Sequence, residues 1–349
     1  MGLEIDRDVF SESEFARFGD RLQQSLTALD DVLRRPGFGE GAPTIGAELE
    51  LCLIDAAGNA LPYNRVVLDS AAHPRLTLEA DRFNLECNTT PVLLAGRPFS
   101  ALRADLDDVL AAVATGAARH GGRMVAIGIL PTLRPADLTP AALTHSARYR
   151  ALSNGLRRLR HTPFEIAIDG PEPLTATCDD VTFEGANTSW QIHLKVAPAA
   201  FARTYNAAQI ATAAVLAVAG NAPTFLGHRL WDETRVALYP QSVDDRLDGA
   251  TADWRPRRVS FGHGWVRHGA AELFAESVAM HAPLLAVLSD EDPIAVAGAG
   301  GVPALGELRL HHGTVWRWNR AVYDNAGGGH LRIEFRALPA GPTTTDMLA

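Results

Sequence analysis

The chain has 349 residues, 47% of them hydrophobic, and a formal net charge of −9 from 41 acidic against 32 basic side chains. Such a composition sets aside a disordered chain, and an acidic balance without any basic run sets aside general nucleic-acid affinity, which needs cations clustered against phosphates. Lys195 is the single lysine, so an anionic ligand would have to meet individually placed arginines or bound metal ions.

The three cysteines, Cys52, Cys87 and Cys178, are odd in number and show no CxxC spacing, which points away from a disulfide framework or a zinc cluster and toward a reducing cytoplasm. The first residues are acidic and lack the apolar segment of a signal peptide. The longest apolar run, from Ile210 to Ala219, is about half of the ~20 residues a membrane span requires. A soluble, cytoplasmic protein without membrane or nucleic-acid partners is expected.

In chain order, Ser11-Glu-Ser-Glu14 predicts a capping box that opens a helix to about Arg35, closed by Pro36-Gly37. Apolar alternation predicts a strand from Ile45 and a looser one from Leu76 to Cys87. Ser100 is placed as the cap of a helix from Ala101 to His120, followed by a short strand from Met124 to Ile129. Pro140 to about Arg160 reads as helical, Phe164 to Ile168 and Thr188 to Val196 as strands, and Tyr205 to Ala219 as a helix closed by Gly220-Asn-Ala-Pro223. Asp244 to Arg258 reads as a charged loop, Ala270 to Leu288 as a helix with Pro283 inside it, and Val296 to Gly306 as a mobile connection. Leu331 to Ala337 is the last strand, and a helix begins at Thr343-Thr-Thr-Asp346, so a longer full-length protein is expected.

Four of these strands repeat one design. Successive side chains alternate between faces, so Glu48 and Glu50 oppose Ile45, Ala47, Leu49, Leu51 and Leu53. Likewise Asn84, Glu86 and Asn88 oppose Phe83, Leu85 and Cys87. Gln191, His193 and Lys195 oppose Trp190, Ile192, Leu194 and Val196, and Arg332, Glu334 and Arg336 oppose Leu331, Ile333 and Phe335. If these strands share a sheet whose apolar face is covered by helices, the other face gathers four carboxylates, an imidazole and several cations. A solvated sheet face is the plain reading of any one strand. Converging acids with few threonines favour a hard divalent cation, Mg²⁺ or Mn²⁺, held by oxygen ligands. Arginines on the same wall suggest phosphate chemistry, with Arg332 and Lys195 assigned to the nucleotide. Neither GxxxxGK[ST] nor a strand-to-helix G-x-G-x-x-G is present.

The ordered pieces Gly46-Ala-Glu-Leu-Glu50, Leu85-Glu-Cys-Asn-Thr-Thr-Pro91, Trp190-Gln-Ile-His193, Gly220-Asn-Ala-Pro223, Gly313-Thr-Val-Trp-Arg-Trp318 and Leu331-Arg-Ile-Glu-Phe-Arg336 together resemble the glutamate-cysteine ligase family, in its bacterial second group of carboxylate-amine ligases. The resemblance implies an α+β, glutamine-synthetase-like fold: a curved antiparallel sheet forming an acidic funnel, with helices on the other face. It implies a single ligase domain over residues 1–349 that lacks C-terminal helices of the full-length family. Carried over by position, it implies Mg²⁺ ligands at Glu48, Glu50, Glu86, His193 and Glu334, and at Glu79, with Asp81 the alternative. Arg336 would face the transferred phosphoryl group and Arg235 the substrate. The implied activity joins the side-chain carboxylate of glutamate to an amine, cysteine by family default, through an acyl phosphate made from ATP. No protein nucleophile is then needed, and the cysteines are dispensable. A metal-dependent hydrolase or phosphatase, or a non-catalytic binding protein, would use the same face differently. His263, His268, His311 and His312 read as ordinary hydrogen-bonded histidines, and of Trp316 and Trp318 one is expected in the core and one near the site.

Overall fold

The computed structural model describes residues 5–246 and 255–349. Helix α1 (Glu12–Leu33) opens on the expected capping box, in which the Glu14 N–H donates to Ser11 Oγ and the Ser11 N–H donates to Glu14 at 2.7 Å. There follow β1 (Thr44–Ile54), α2 (Asn64–Ala71), β2 (Leu76–Leu78), β3 (Asn84–Asn88), β4 (Val92–Leu93), α3 (Pro98–Ala118), β5 (Arg123–Val125) and α4 (Ala147–Arg160). The middle contains β6 (Phe164–Ile168), β7 (Leu174–Cys178), α5 (Thr182–Gly185), β8 (Trp190–Val196), α6 (Phe201–Ala219), β9 (Thr224–Phe225), β10 (His228–Arg229) and α7 (Arg235–Ser242). The last part holds α8 (Ala270–Met280), α9 (Pro293–Gly298), α10 (Gly306–His312), β11 (Asn319–Asp324), β12 (His330–Phe335) and α11 (Thr344–Leu348).

Several expectations are corrected. The strand read from Leu76 to Cys87 is two antiparallel strands, β2 and β3, with Glu79, Asp81 and Phe83 in the connection between them. Helix α3 starts at Pro98, whose fixed φ suits a first turn, so Ser100 lies inside the helix and caps nothing. The strand read from Met124 to Ile129 is only β5. The helix read to Leu288 ends at Met280, because His281 is extended two residues before Pro283 and proline disfavours helical geometry just ahead of it. The connection read from Val296 to Gly306 includes the end of α9 and the start of α10. Of the charged loop read from Asp244 to Arg258, residues 247–254 lie outside the described part.

Eight strands form one antiparallel sheet in the order β11-β12-β8-β1-β3-β2, with β4 and β5 also pairing to β1. The long strand β1 is central because its eleven residues offer partners on both sides: Glu48–Cys52 pair with β3, and Ile45–Leu49 with β8. Its apolar face is the core. Leu49, Leu51, Leu53 and Leu85, each 0% exposed, pack with Val67 of α2 and Leu106, Val109 and Val113 of α3. Each such burial contributes about 2 kcal/mol. Helix α11 adds Met347 and Leu348 to this layer. Under β11 and β12 a second core takes Phe18, Leu22 and Leu29 of α1, Phe274 of α8 and Leu308 of α10. The architecture is therefore α+β, with helices on the apolar side of an antiparallel sheet whose polar side carries the acids. No helix of the described residues is long and apolar enough to cross a membrane.

Candidate active site

Strand register decides which acids meet. Glu50 lies directly opposite Glu86 across the β1–β3 ladder, and Glu79, from the β2–β3 connection, closes over them. On the other side His193 of β8 lies opposite Gly46 of β1 and Glu334 of β12, which brings the side chain of Glu48 to the imidazole. Two clusters result: Glu50, Glu79 and Glu86, and Glu48, His193 and Glu334. In each, one ligand atom per residue lies within 4.8 Å of the others. Among the described residues these are the two groupings with that geometry. All six expected ligands are brought together, but as two neighbouring sets spaced by two residues of β1, roughly 7 Å.

The second cluster is balanced by cations. His193 Nε2 sits 3.1 Å from Glu48 Oε1 and 3.7 Å from Glu334 Oε1. Arg320 Nε and Nη2 donate to the two oxygens of Glu334 at 2.5 and 3.0 Å, and Arg336 Nη1 lies 3.4 Å from Glu334 Oε1. Burial raises the Glu48 carboxyl, but the His193 charge and contact outweigh it and bring the group down to about 2. Burial is likewise overcome at Glu334 by Arg320 and Arg336, which hold it well below the usual range.

The first cluster has no such partner among its own members. Glu50 accepts from the Ser189 N–H and from Gln191 Nε2, both at 2.7 Å, and Glu86 accepts from Asn88 Nδ2 at 2.7 Å and Thr77 Oγ1 at 3.1 Å. These neutral donors fix the carboxylates without cancelling their charge. Burial first, and Glu86 second, push Glu50 up to about 8. The same causes in the same order push Glu79 well above its ordinary value. Like charges directly opposite on a ladder are destabilising, so this arrangement calls for a compensating cation.

The residues present fit a hard divalent ion. Three carboxylates, or two carboxylates with an imidazole, form oxygen-rich donor sets of the kind Mg²⁺ and Mn²⁺ take. Both ring nitrogens of His193 are buried without a hydrogen bond of proper geometry, and Nε2 faces the carboxylates of Glu48 and Glu334.

Arg336 stands between the clusters. Its Nη1 donates to Gln191 Oε1 at 2.5 Å while Gln191 Nε2 holds Glu50, so a single amide couples the guanidinium to the first cluster. Arg235 is 0% exposed; it donates to Ser189 Oγ at 2.8 Å and to the carbonyls of Ala337 and Arg336 at 3.1 and 3.4 Å. With no exposed atom, Arg235 supports the Arg336 backbone instead of reaching a substrate. Arg332 and Lys195 form the next cross-strand pair along the polar face. Arg332 donates to Asp324 Oδ2 at 3.1 Å, and Lys195 to the Glu40 carbonyl at 3.2 Å. Asp81, the alternative to Glu79, turns away: its carboxyl is fully buried against Gly185, where a Cβ would meet it at 2.7 Å. Trp316 and Trp318 are both core, packed on Tyr239. All three cysteines are buried, and burial pushes the thiols of Cys52 to about 12 and Cys178 to about 11, away from thiolate chemistry.

Beside the first cluster a cleft is lined by Glu50, Glu79, Asn84, Glu184, Gly185, Asn187, Ser189, Tyr239 and Arg336. The sequence reading missed Glu184, Tyr239 and Arg320. Arg320 lies on β11 directly opposite Glu334, a placement set by cross-strand pairing. Glu184 had no signal, because α5 is a four-residue turn of helix without periodicity.

A search of curated proteins found no match. Among solved structures, a glutamate-cysteine ligase from Francisella tularensis in complex with AMP is similar at 12% identity and a TM-score of 0.44, covering 86% of this chain and 62% of its own. A bifunctional glutathione synthetase from Pasteurella multocida is similar at 10% identity and a TM-score of 0.39, covering 96% of this chain and 39% of its own. The chain thus spans under two thirds of the length of either enzyme. The sequence profile of glutamate-cysteine ligase family 2 matches residues 44–272, a segment that includes Glu48, Glu50, Glu79, Glu86 and His193. The chain belongs to glutamate-cysteine ligase family 2.

Proposed function

We propose that the chain is a ligase domain that uses ATP to join the side-chain carboxylate of glutamate to the amine of a second small molecule, with cysteine the acceptor that the family's name suggests. The observation that carries this reading is the meeting of two acid clusters around Arg336 on one sheet face. A carboxylate is a poor acylating agent, so the γ-phosphoryl group of ATP is first transferred to it; the amine then attacks the acyl carbon, the carbon–oxygen bond to phosphate breaks, and inorganic phosphate leaves. Mg²⁺ or Mn²⁺ held by Glu50, Glu79 and Glu86, and by Glu48, His193 and Glu334, would neutralise the triphosphate and polarise the transferred group.

The protein's own part is positioning and charge. Arg336 donates to phosphoryl oxygens as negative charge spreads over them, a contribution that grows in the transition state. Gln191 and Glu334 hold its guanidinium, and Arg235 holds its backbone. Arg332 and Lys195 extend the cationic end of the face toward the nucleotide. Water exclusion by the buried sheet floor protects the acyl phosphate from hydrolysis.

The test is ADP release by the full-length protein with a panel of common amino acids. The proposal predicts release that needs Mg²⁺, glutamate and an amine together, with an amide product by mass spectrometry. Release without amine, or none with any pair, contradicts it.

A further inference from the structure

A second cavity, of about 380 Å³ against about 20 Å³ for the cleft beside the first cluster, shares no residue with that cleft. It opens between the start of α2, the β2–β3 connection and the segment just ahead of α4, and its volume lies in the range of small-molecule sites. Its floor is fixed by hydrogen bonds. The buried Asn64 donates through Nδ2 to Thr144 Oγ1 at 2.7 Å and to the carbonyls of Asp81 and Asn84 at 3.1 and 3.2 Å. The Thr144 N–H donates to the Ala80 carbonyl at 2.8 Å and the Arg82 N–H to the Ala142 carbonyl at 2.7 Å. With these polar groups spent on one another and on backbone, recognition falls to the other lining side chains.

Three of those are basic, Arg65, Arg82 and His145, and among the described residues no carboxylate lines the cavity. Arg65 and His145 are exposed and Arg82 is half-buried. Among the described residues none of the three forms an ion pair, and Arg82 Nη1 spends one donor on the Ala141 carbonyl at 3.4 Å. Asp81, next to Arg82 in sequence, has its carboxyl against Gly185 instead. In a chain of 41 acidic and 32 basic residues this is a local reversal of charge with its donors unspent. Tyr63 and Val66, 43% and 41% exposed, add an apolar surface to the same cavity. We propose that the cavity binds an organic phosphate monoester, with its dianionic head on Arg65 and Arg82, His145 as a further donor, and its carbon body against Tyr63 and Val66. A carboxylate shares the oxyanion chemistry, but its single charge is met by one guanidinium, whereas a phosphate monoester offers three oxygens and nearly two charges to several donors.

The test is calorimetric titration of the full chain with phenyl phosphate, in EDTA at about pH 7.5, where the ester is a dianion. One ester per chain should bind with a Kd below about 1 mM. Arg65→Gln, at an exposed helix position, and Arg82→Gln should each weaken binding at least about tenfold without lowering Tm by more than about 3 °C. Lys195→Met, on the polar face of the main sheet, should leave binding unchanged. Inorganic phosphate should bind wild type about tenfold more weakly than phenyl phosphate, and in Tyr63→Ala the two should bind alike. Benzoate, the same ring with one charge, should bind at least about tenfold more weakly than the ester. Binding that Lys195→Met weakens and both arginine variants leave alone belongs to the acid face and overturns the proposal. So does benzoate binding as tightly as the ester, which makes the head a carboxylate, and so does inorganic phosphate binding as tightly, which makes the occupant an adventitious ion only. No binding up to about 10 mM ester overturns it outright. Turnover enters none of these titrations, so the ligase reading stands or falls apart from them.

Discussion

The two acid clusters lie side by side across β1, which gives one glutamate to each, yet are opposite in electrostatic design. At Glu48, His193 and Glu334 the protein supplies its own cations, Arg320 and Arg336, beside the imidazole, and both carboxyls are held below their ordinary range. At Glu50, Glu79 and Glu86 the hydrogen-bond donors among the described residues are neutral, and Glu50 and Glu79 are pushed upward despite the nearby charge of Arg336. The arrangement at Glu48, His193 and Glu334 is balanced by itself; the one at Glu50, Glu79 and Glu86 carries repulsion that an arriving cation relieves. A site meant to bind metal with substrate, and to register its loss, has good reason to combine the two.

The sharpest way to break this comparison is Arg336→Met. It removes a cation that borders both clusters, so turnover should fall about 10²- to 10³-fold in the ADP assay. Next in size is a contrast of sign. Glu334→Gln leaves Arg320 and Arg336 buried without their carboxylate and should cost about 3–5 kcal/mol in urea unfolding. Glu79→Gln removes one of three neighbouring carboxyls that repel one another. It should leave metal-free stability unchanged or higher, while abolishing most of the rise in Tm that Mg²⁺ gives wild type. Equal losses in both variants would erase the distinction between the clusters.

A smaller effect lies in pH dependence without metal. An acid whose folded pKa exceeds its unfolded one binds its proton more tightly when folded, so the Glu50 contribution is fully present below about pH 4.5 and is lost as pH rises through about 8. Glu48 runs the other way: its contribution is present above about pH 4.5 and is lost as pH falls through about 2. Unfolding in EDTA should therefore show wild type losing stability relative to Glu50→Gln between pH 5 and pH 8. Smallest of all, Lys195→Met should raise KM for ATP only about two- to threefold, since its ammonium is exposed and already bonded to Glu40.

Much of the site was legible because strand alternation is a strict period of two. Once Glu48, Glu50, Glu86, His193 and Glu334 were placed opposite apolar neighbours, their shared face followed for any sheet that paired those strands. Their division into two sets was not legible, because it depends on register: that His193 faces Gly46 and not Glu48 is decided by pairing between segments more than a hundred residues apart. Asp81 and Glu79 could not be separated for a related reason, since both lie in a connection whose turn the alternation does not describe. The enclosure of Arg235 was not legible either, because nothing local says that its guanidinium will be held by Ser189, Glu233 and the carbonyls of Arg336 and Ala337 just past β12. Helix limits failed where a breaker acted at a distance, as Pro283 did on α8.

The central claim is that both clusters bind divalent ions, and Mn²⁺ bound to the crystalline protein tests it directly through anomalous scattering. The account predicts two peaks, one about 2.1 Å from oxygens of Glu50, Glu79 and Glu86, and one at similar distance from Glu48, His193 and Glu334. Peaks elsewhere, or none at saturating Mn²⁺, would contradict it.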